Sequence, residues 1–141
     1  MGVPAHLSLV TLGVSDLGRS TAFYRAVGWQ RLPASSEEIS FFSLGQVVLG
    51  LFPHAALAED AAQASSQAAG GFRGVTLAIN GRDEAAVDRM LADFLAAGAS
   101  LVKAATRAEW GGYSGYVADP DGHLWELAFN PYSPEWAAPD R

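Results

Sequence analysis

The chain contains no cysteine, so disulfides, thiolate metal ligands and a cysteine nucleophile are excluded. Basic residues are also few, since nine Lys and Arg stand against 15 Asp and Glu for a net charge of −6. Those nine are scattered, and a nucleic-acid partner would need them clustered. No apolar run approaches the roughly 18 residues of a membrane span, and no basic stretch with an apolar core opens the chain. We therefore expect a cytoplasmic protein with neither nucleic acid nor membrane as partner.

What is present is typical of a globular protein, with 50% hydrophobic and 17% charged residues. A length of 141 residues suits a single domain, 1–141, that can be built from two small halves sharing a core. The composition of residues 54–71 shifts to Ala, Ser and Gln, which predicts a linker near the middle of the chain. We expect module one at 6–53, the linker at 54–71, module two at 72–131 and a tail at 132–141.

The first module begins with an apolar run at 7–14 that predicts a buried strand. Ser15 or Asp16 is expected to cap a helix that ends at Gly28. Residues 29–32 predict a second strand, and 38–44 with 46–52 predict a hairpin. The linker is expected to open with a short helix at 54–62, because that run is rich in alanine.

The second module repeats this order, with a strand predicted at 72–79 and a helix at 83–97. The helix is indicated by Val87, Met90, Leu91, Phe94 and Leu95, whose spacing places them on one face. A strand at 100–103 and a hairpin of 113–118 with 123–129 complete the module. Residues 10–12 (Val-Thr-Leu) recur as 75–77, and 49–51 (Leu-Gly-Leu) correspond to 125–127. We predict an α+β fold in which two β-α-β-β-β modules form a curved mixed sheet around a cavity, with the helices outside.

The last predicted strand, 123–129, is the most informative. Leu124, Glu126 and Ala128 share one face, while the bulkier Trp125, Leu127 and Phe129 share the other. We expect the bulky side to pack on a helix and Glu126 to face the cavity. Three roles stay open for that carboxylate: it fixes packing by pairing with Thr11, Thr76 or an arginine, contacts a ligand, or acts as a general base.

Residues 119–126 (Asp-Pro-Asp-Gly-His-Leu-Trp-Glu), the strand–helix unit at 12–24 and the repeat itself resemble the vicinal oxygen chelate superfamily. That superfamily includes glyoxalase I, extradiol dioxygenases and bleomycin-resistance proteins. The resemblance extends from His6 to Pro131 and implies the paired-module fold and a homodimer. Because members differ widely in activity, it implies much less about function.

The resemblance also implies a divalent metal held by four positions, which by register are Leu9, Gly50, Gly74 and Glu126. Leucine and glycine side chains offer no ligand atom, so only Glu126 can contribute one. His6, His54 and His123 do not restore the set, since His123 is expected to bond within the turn at 119–122. We therefore expect no metal and no cofactor.

Aromatic residues near glycines are the other candidate site. Trp110 and Tyr113, beside Gly111 and Gly112, suit a loop over a cavity mouth, although the same rings can simply cover the core. Phe41 and Phe42 lie on opposite faces, so one of them is expected to line the cavity. The expected ligand-binding residues are Thr11, Phe42, Trp110, Tyr113, Tyr116 and Glu126.

These observations favour a metal-independent small-molecule binding protein whose partner is a small organic ligand. The alternative is an enzyme of the same superfamily, a lyase, isomerase or dioxygenase, that uses Glu126 with or without a metal. A third possibility is an accessory domain with a filled core and no ligand.

Overall fold

The computed structural model describes residues 2–65 and 71–139, which belong to two compact units, Met1–Ala69 and Gly70–Arg141. The division falls inside the predicted linker, of which residues 66–70 lie outside the described residues. That the modules make one domain stays a prediction.

Each unit combines one mixed sheet with helices, and the α+β class is confirmed. The first unit contains β1 (Leu9–Val14), α1 (Leu17–Val27), β2 (Ser40–Leu44), β3 (Val47–Pro53) and α2 (His54–Asp60). The second contains β4 (Thr76–Asn80), α3 (Glu84–Ala97), β5 (Ser100–Arg107), β6 (Tyr113–Ala118), β7 (Leu124–Phe129) and a 3-10 turn, Pro134–Trp136. No helix within residues 2–65 and 71–139 is both long and apolar enough to cross a bilayer.

The two long helices begin and end in the same way. Asp16 caps α1 and Asp83 caps α3, each side chain accepting a hydrogen bond from the backbone N–H three residues on, at 2.9 and 2.7 Å. Gly28 and Gly98 close them in the left-handed conformation, with φ of 114° and 111°. Each aspartate satisfies a helical N–H that would otherwise lack a partner, which typically stabilises a helix by about 1 kcal/mol.

The sheets share a pattern in which the last strand of each unit pairs in parallel with the first. Strand order is β1-β3-β2 in the first unit and β4-β7-β6-β5 in the second. Thr11 lies opposite Gly50, whereas Glu126 lies opposite Ala78. Since Gly50 and Glu126 are equivalent in the repeat, Thr11 corresponds to Ala78. The predicted match of residues 10–12 with 75–77 is therefore wrong by two residues.

The predicted strand at 29–32 is reduced to a single bridge between Arg31 and Phe42. Pro33 follows directly and has no N–H for a ladder, so the pairing ends there. Trp29 instead stacks on the buried ring of Tyr24, with centroids 5.5 Å apart and planes at 10°.

The core of the first unit lies between α1 and its sheet. Tyr24 from the helix and Phe42 from β2 are both 0% exposed, and their ring centroids are 6.1 Å apart. Leu49 and Leu51 from β3 complete this layer. Each such side chain contributes about 1.5–3 kcal/mol by leaving water.

The core of the second unit lies between α3 and the face of the sheet that carries Trp125 and Leu127. Phe94 of the helix packs on Trp125 with ring centroids 5.9 Å apart. The spacing of apolar residues along α3 predicted this contact surface, and Val87, Leu91 and Phe94 are buried as expected. The C-terminal tail joins the same unit, since Ala138 N–H donates to the Asn80 carbonyl at 2.7 Å.

Gly115 gives a direct test of how closely β5, β6 and α3 pack. A Cβ at this position would lie 2.9 Å from the Lys103 carbonyl oxygen and 3.1 Å from Leu91 Cδ1. We expect Gly115→Ala to lower the free energy of unfolding by about 1–3 kcal/mol, because backbone and helix must both shift. Urea unfolding followed by circular dichroism measures the change.

Gly18→Ala in α1 is the matched control, since its added Cβ would meet nothing closer than 3.5 Å. It should leave stability unchanged or raise it by up to about 1 kcal/mol, because alanine favours a helix over glycine. Equal stabilities of Gly115→Ala and the wild type would contradict the packing described.

Candidate functional site

Strand β7 separates apolar from polar side chains by simple alternation. Trp125 and Leu127 are buried against α3, on what we call the helix face of the second sheet. Glu126 lies on the opposite side, the Glu126 face, and keeps partial exposure. The prediction that the bulky side packs on a helix is confirmed.

The Glu126 face carries one row of side chains across all four strands. Ala78 of β4, Glu126 of β7, Tyr116 of β6 and Lys103 of β5 are successive register partners. Directly opposed residues in a sheet have Cβ atoms about 4.5–5.5 Å apart. An acid, a phenol and an amine are thus neighbours in the row, while Ala78 leaves space beside the carboxylate.

Tyr116 and Glu126 interact directly. The pKa of the Tyr116 phenol is raised above its ordinary value of 10.0, first because partial burial disfavours the phenolate, then because of the Glu126 charge and a hydrogen bond to that carboxylate. The phenol donates and the carboxylate accepts. Within the described part of the second unit, Tyr116 is therefore a partner of Glu126.

Thr11 stands in the equivalent row of the first unit. It is the register partner of Gly50, which in turn lies opposite Phe41. A Cβ on Gly50 would come 3.1 Å from Thr11 Oγ1, so the glycine lets the threonine lie close over the strand. Gly50 of the first unit is equivalent to Glu126 of the second. The first unit therefore has no side chain at the position where the second unit has its carboxylate.

Phe42 is placed differently from expectation. It is 0% exposed in the core against Tyr24, so it has no surface to offer a ligand. Phe41 is the ring that shares the face of Thr11. The hairpin register could have shown this, because a turn at Gly45 places residue 41 opposite Gly50.

Tyr113 belongs to the helix face, since it pairs with Phe129 and its hydroxyl donates to Asp88 Oδ1 of α3 at 2.6 Å. That hydrogen bond is the main cause of the raised pKa of Tyr113. Trp110 is exposed, lies close over Gly112 and contacts the ring of Tyr132, with centroids 6.3 Å apart. Among the predicted ligand-binding residues of the second unit, Tyr116 and Glu126 are register partners whose side chains interact.

His123 lies in the turn as expected. Its backbone N–H donates to Asp119 Oδ1 at 2.8 Å, and its carbonyl accepts from the Asp119 N–H at 3.0 Å. Asp119 is buried and also accepts from the Asp121 N–H at 2.9 Å. This network holds the start of β7 and thereby the position of Glu126.

Comparison with known proteins agrees with this architecture. The family model described as Glyoxalase/Bleomycin resistance protein/Dioxygenase superfamily matches residues 6–127. A glyoxalase-related enzyme from Fulvimarina pelagi is 37% identical, with a TM-score of 0.79 over 91% of this chain and 90% of its own. Comparison with the curated proteins gives no match.

Two further solved structures are similar. A glyoxalase/bleomycin resistance protein/dioxygenase family enzyme from Burkholderia phytofirmans PsJN is 26% identical, with a TM-score of 0.78 over 89% of this chain and 98% of its own. A lactoylglutathione lyase from Agrobacterium tumefaciens is 25% identical, with a TM-score of 0.67 over 92% and 96%. The chain belongs to the Glyoxalase/Bleomycin resistance protein/Dioxygenase superfamily.

The residues at the metal positions implied by this family do not fit a divalent ion. Leu9 and Gly50 have no side-chain donor, and Gly74 precedes β4 with φ of 77°. With the corrected match between the two units, the third metal position is Thr76 in place of Gly74. Its side chain carries a hydroxyl, so Glu126 is the one carboxylate among the four positions. Among residues 2–65 and 71–139, no three His, Asp or Glu side chains come together as a metal site requires.

The Tyr116–Glu126 contact predicts a titration that can be measured. In Glu126→Gln the pKa of Tyr116 should fall toward 10.0, because the charge that disfavours the phenolate is gone. NMR of ring-labelled tyrosine against pH follows each phenol separately, and Tyr113, which bonds Asp88, is the internal control. An unchanged Tyr116 titration would contradict the contact.

The raised pKa of Tyr116 also makes the free energy of unfolding depend on pH in the alkaline range. Above pH 10.0 the unfolded chain loses the Tyr116 proton while the folded chain retains it. The contribution of this group to stability is therefore complete below pH 10.0 and lost as the pH rises through the folded pKa. The loss should be smaller in Glu126→Gln.

Proposed function

We propose that the protein is a metal-independent small-molecule binding protein of the glyoxalase/bleomycin-resistance type, with its ligand on the Glu126 face. The observation that carries the proposal is the hydrogen-bonded pair of Tyr116 and Glu126, which has Ala78, Leu124 and Ala128 as apolar neighbours and Lys103 beyond Tyr116 in the row. A few fixed polar groups among apolar surface are typical of sites for small organic molecules.

The chemistry of the pair indicates what it would recognise. The carboxylate accepts hydrogen bonds, and Tyr116 already supplies one of them. A ligand hydroxyl or protonated amine can donate to the remaining oxygen lone pairs, while the phenol ring gives a flat apolar surface. We therefore favour an organic ligand with a donor group next to an apolar body.

The other predicted ligand-binding residues are taken unit by unit. In the first unit Thr11 stays a proposed ligand-binding residue, and Phe41 replaces the buried Phe42. Trp110 is retained as an exposed ring, whereas Tyr113 is committed to Asp88. Homodimer formation and a cytoplasmic location remain part of the proposal.

The second candidate is an enzyme that uses Glu126 as a general base. It is favoured by the relatives, since one similar structure is called a lactoylglutathione lyase and another a glyoxalase-related enzyme. A carboxylate held by a tyrosine and reachable from solvent can take a proton from a bound substrate. Formation or consumption of lactoylglutathione that persists in chelator and disappears in Glu126→Gln would favour this candidate.

Ligand binding on the Glu126 face can be tested by a thermal-shift screen of small organic molecules. A binder at 100 times its Kd should stabilise the native state by about 2.7 kcal/mol. Glu126→Gln should lose most of that shift, while Glu59→Gln, at an exposed position of α2, should keep it. Equal shifts in both variants would place the ligand elsewhere.

Metal independence is tested separately. Metal-stripped protein dialysed against Ni²⁺, Zn²⁺, Mn²⁺ or Fe²⁺ should take up much less than one ion per chain, because a single carboxylate binds such ions weakly. Elemental analysis after dialysis gives the stoichiometry. Uptake of one ion per chain that is lost in Glu126→Gln would overturn the metal-free proposal.

A further inference from the structure

A concave surface lies in the first unit, on the side of the sheet where α1 packs. It is an open groove of about 510 Å³ between the exposed flank of α1 and the segment that leads into β2. That volume falls within the range of small-molecule sites. Its polar lining comes from Thr21, Arg25, Arg31, Ser36, Glu37 and Ser40.

The floor of the groove is a connected polar chain. Ser40 is 1% exposed, and its hydroxyl lies 2.8 Å from Thr21 Oγ1 and accepts from Arg31 Nε at 3.0 Å. Arg31 also donates through Nη2 to the Ser36 carbonyl. The guanidinium is thus fixed in orientation by neutral partners, which leaves its charge uncompensated by them.

Charge in the groove is positive although the whole protein is acidic. Arg25 and Arg31 line it together with one acid, Glu37. Neither arginine forms an ion pair with a carboxylate of residues 2–65 or 71–139. A pre-oriented guanidinium with spare N–H donors suits a carboxylate or phosphate group, which it can bind through two parallel hydrogen bonds.

We propose that this groove binds the carboxylate or phosphate group of a small organic anion, at a site that shares no residue with the Glu126 face. Arg31 and Arg25 hold the anionic group, and Thr21 and Ser36 supply hydroxyls beside it. Leu17 and Ala22 give the apolar surface for the remainder of the molecule. Thr11, Gly50 and Phe41 lie on the opposite face of the same sheet, so the groove shares none of the residues assigned to ligand binding above.

The test is an NMR titration of the ¹⁵N-labelled full chain with benzoate and with phenyl phosphate, using benzyl alcohol as the uncharged control. Both anions are expected to give saturable shifts confined to 17–25 and 31–40, with Kd in the millimolar range, and benzyl alcohol none. Weakening of the binding by added salt is also expected, since the attraction is between partly exposed charges. A response to only one anion would identify its group as the one recognised.

Removing a positive charge and removing a negative charge from the groove should change its affinity for anions in opposite directions. A general loss of structure would instead weaken binding in both variants. Arg25→Gln removes an exposed charge and should weaken anion binding about two- to fivefold, while Glu37→Gln should tighten it by a similar factor. Arg31→Lys keeps the charge but removes the planar guanidinium with its paired N–H donors. It should therefore clearly weaken the binding of phenyl phosphate. Absence of saturable shifts, shifts spread over both units, or equal binding by all three variants would overturn the proposal.

Discussion

The alternation of side chains along β7 is the constraint on which the rest of the second unit depends. Trp125 and Leu127 must leave water against α3, and a strand that buries its odd positions has to present its even ones on the other side. A slip of one residue would bury the Glu126 carboxylate under the helix and expose the indole. Burying an unpaired carboxylate costs several kcal/mol, so packing of the core fixes where the acid stands.

The two units share one frame but carry different residues at equivalent positions. The two units share aspartate N-caps, left-handed glycine C-caps and a parallel pairing of the first and last strands. At equivalent positions of that pairing one unit has Gly50 and the other Glu126. Glycine allows Thr11 to lie close over the backbone, while the second unit adds a carboxylate and a phenol. At this pair of equivalent positions the first unit has Gly50 and Phe41, and the second has Glu126 and Tyr116.

Much of this could be predicted from the sequence, because the signals were local. The spacing along α3, the glycines at helix ends and the turn at 119–122 depend on neighbouring residues, and the structure has them as expected. Turn residues also placed His123 correctly. The alternation in β7 was enough to assign Trp125 and Glu126 to opposite faces.

The errors arose where the answer depends on pairing between distant segments. Tripeptide similarity matched Thr11 with Thr76, whereas the ladder pairs Glu126 with Ala78. The contact of Tyr116 with Glu126 depends on the register of the β6–β7 hairpin, in which the two residues are directly opposite. The groove at Arg31 includes part of residues 29–32, which were predicted to be a strand. In the structure this segment forms a single bridge before Pro33, and the Ser40 hydroxyl accepts a hydrogen bond from Arg31.

Mapping a ligand from the screen onto β7 tests the central claim most directly. With ¹³C-labelled side chains, the account predicts that signals of Leu124, Glu126, Ala128 and Tyr116 change on binding while those of Trp125 and Leu127 do not. Changes centred on Trp125, Leu127 and α3, with Glu126 unaffected, would contradict it.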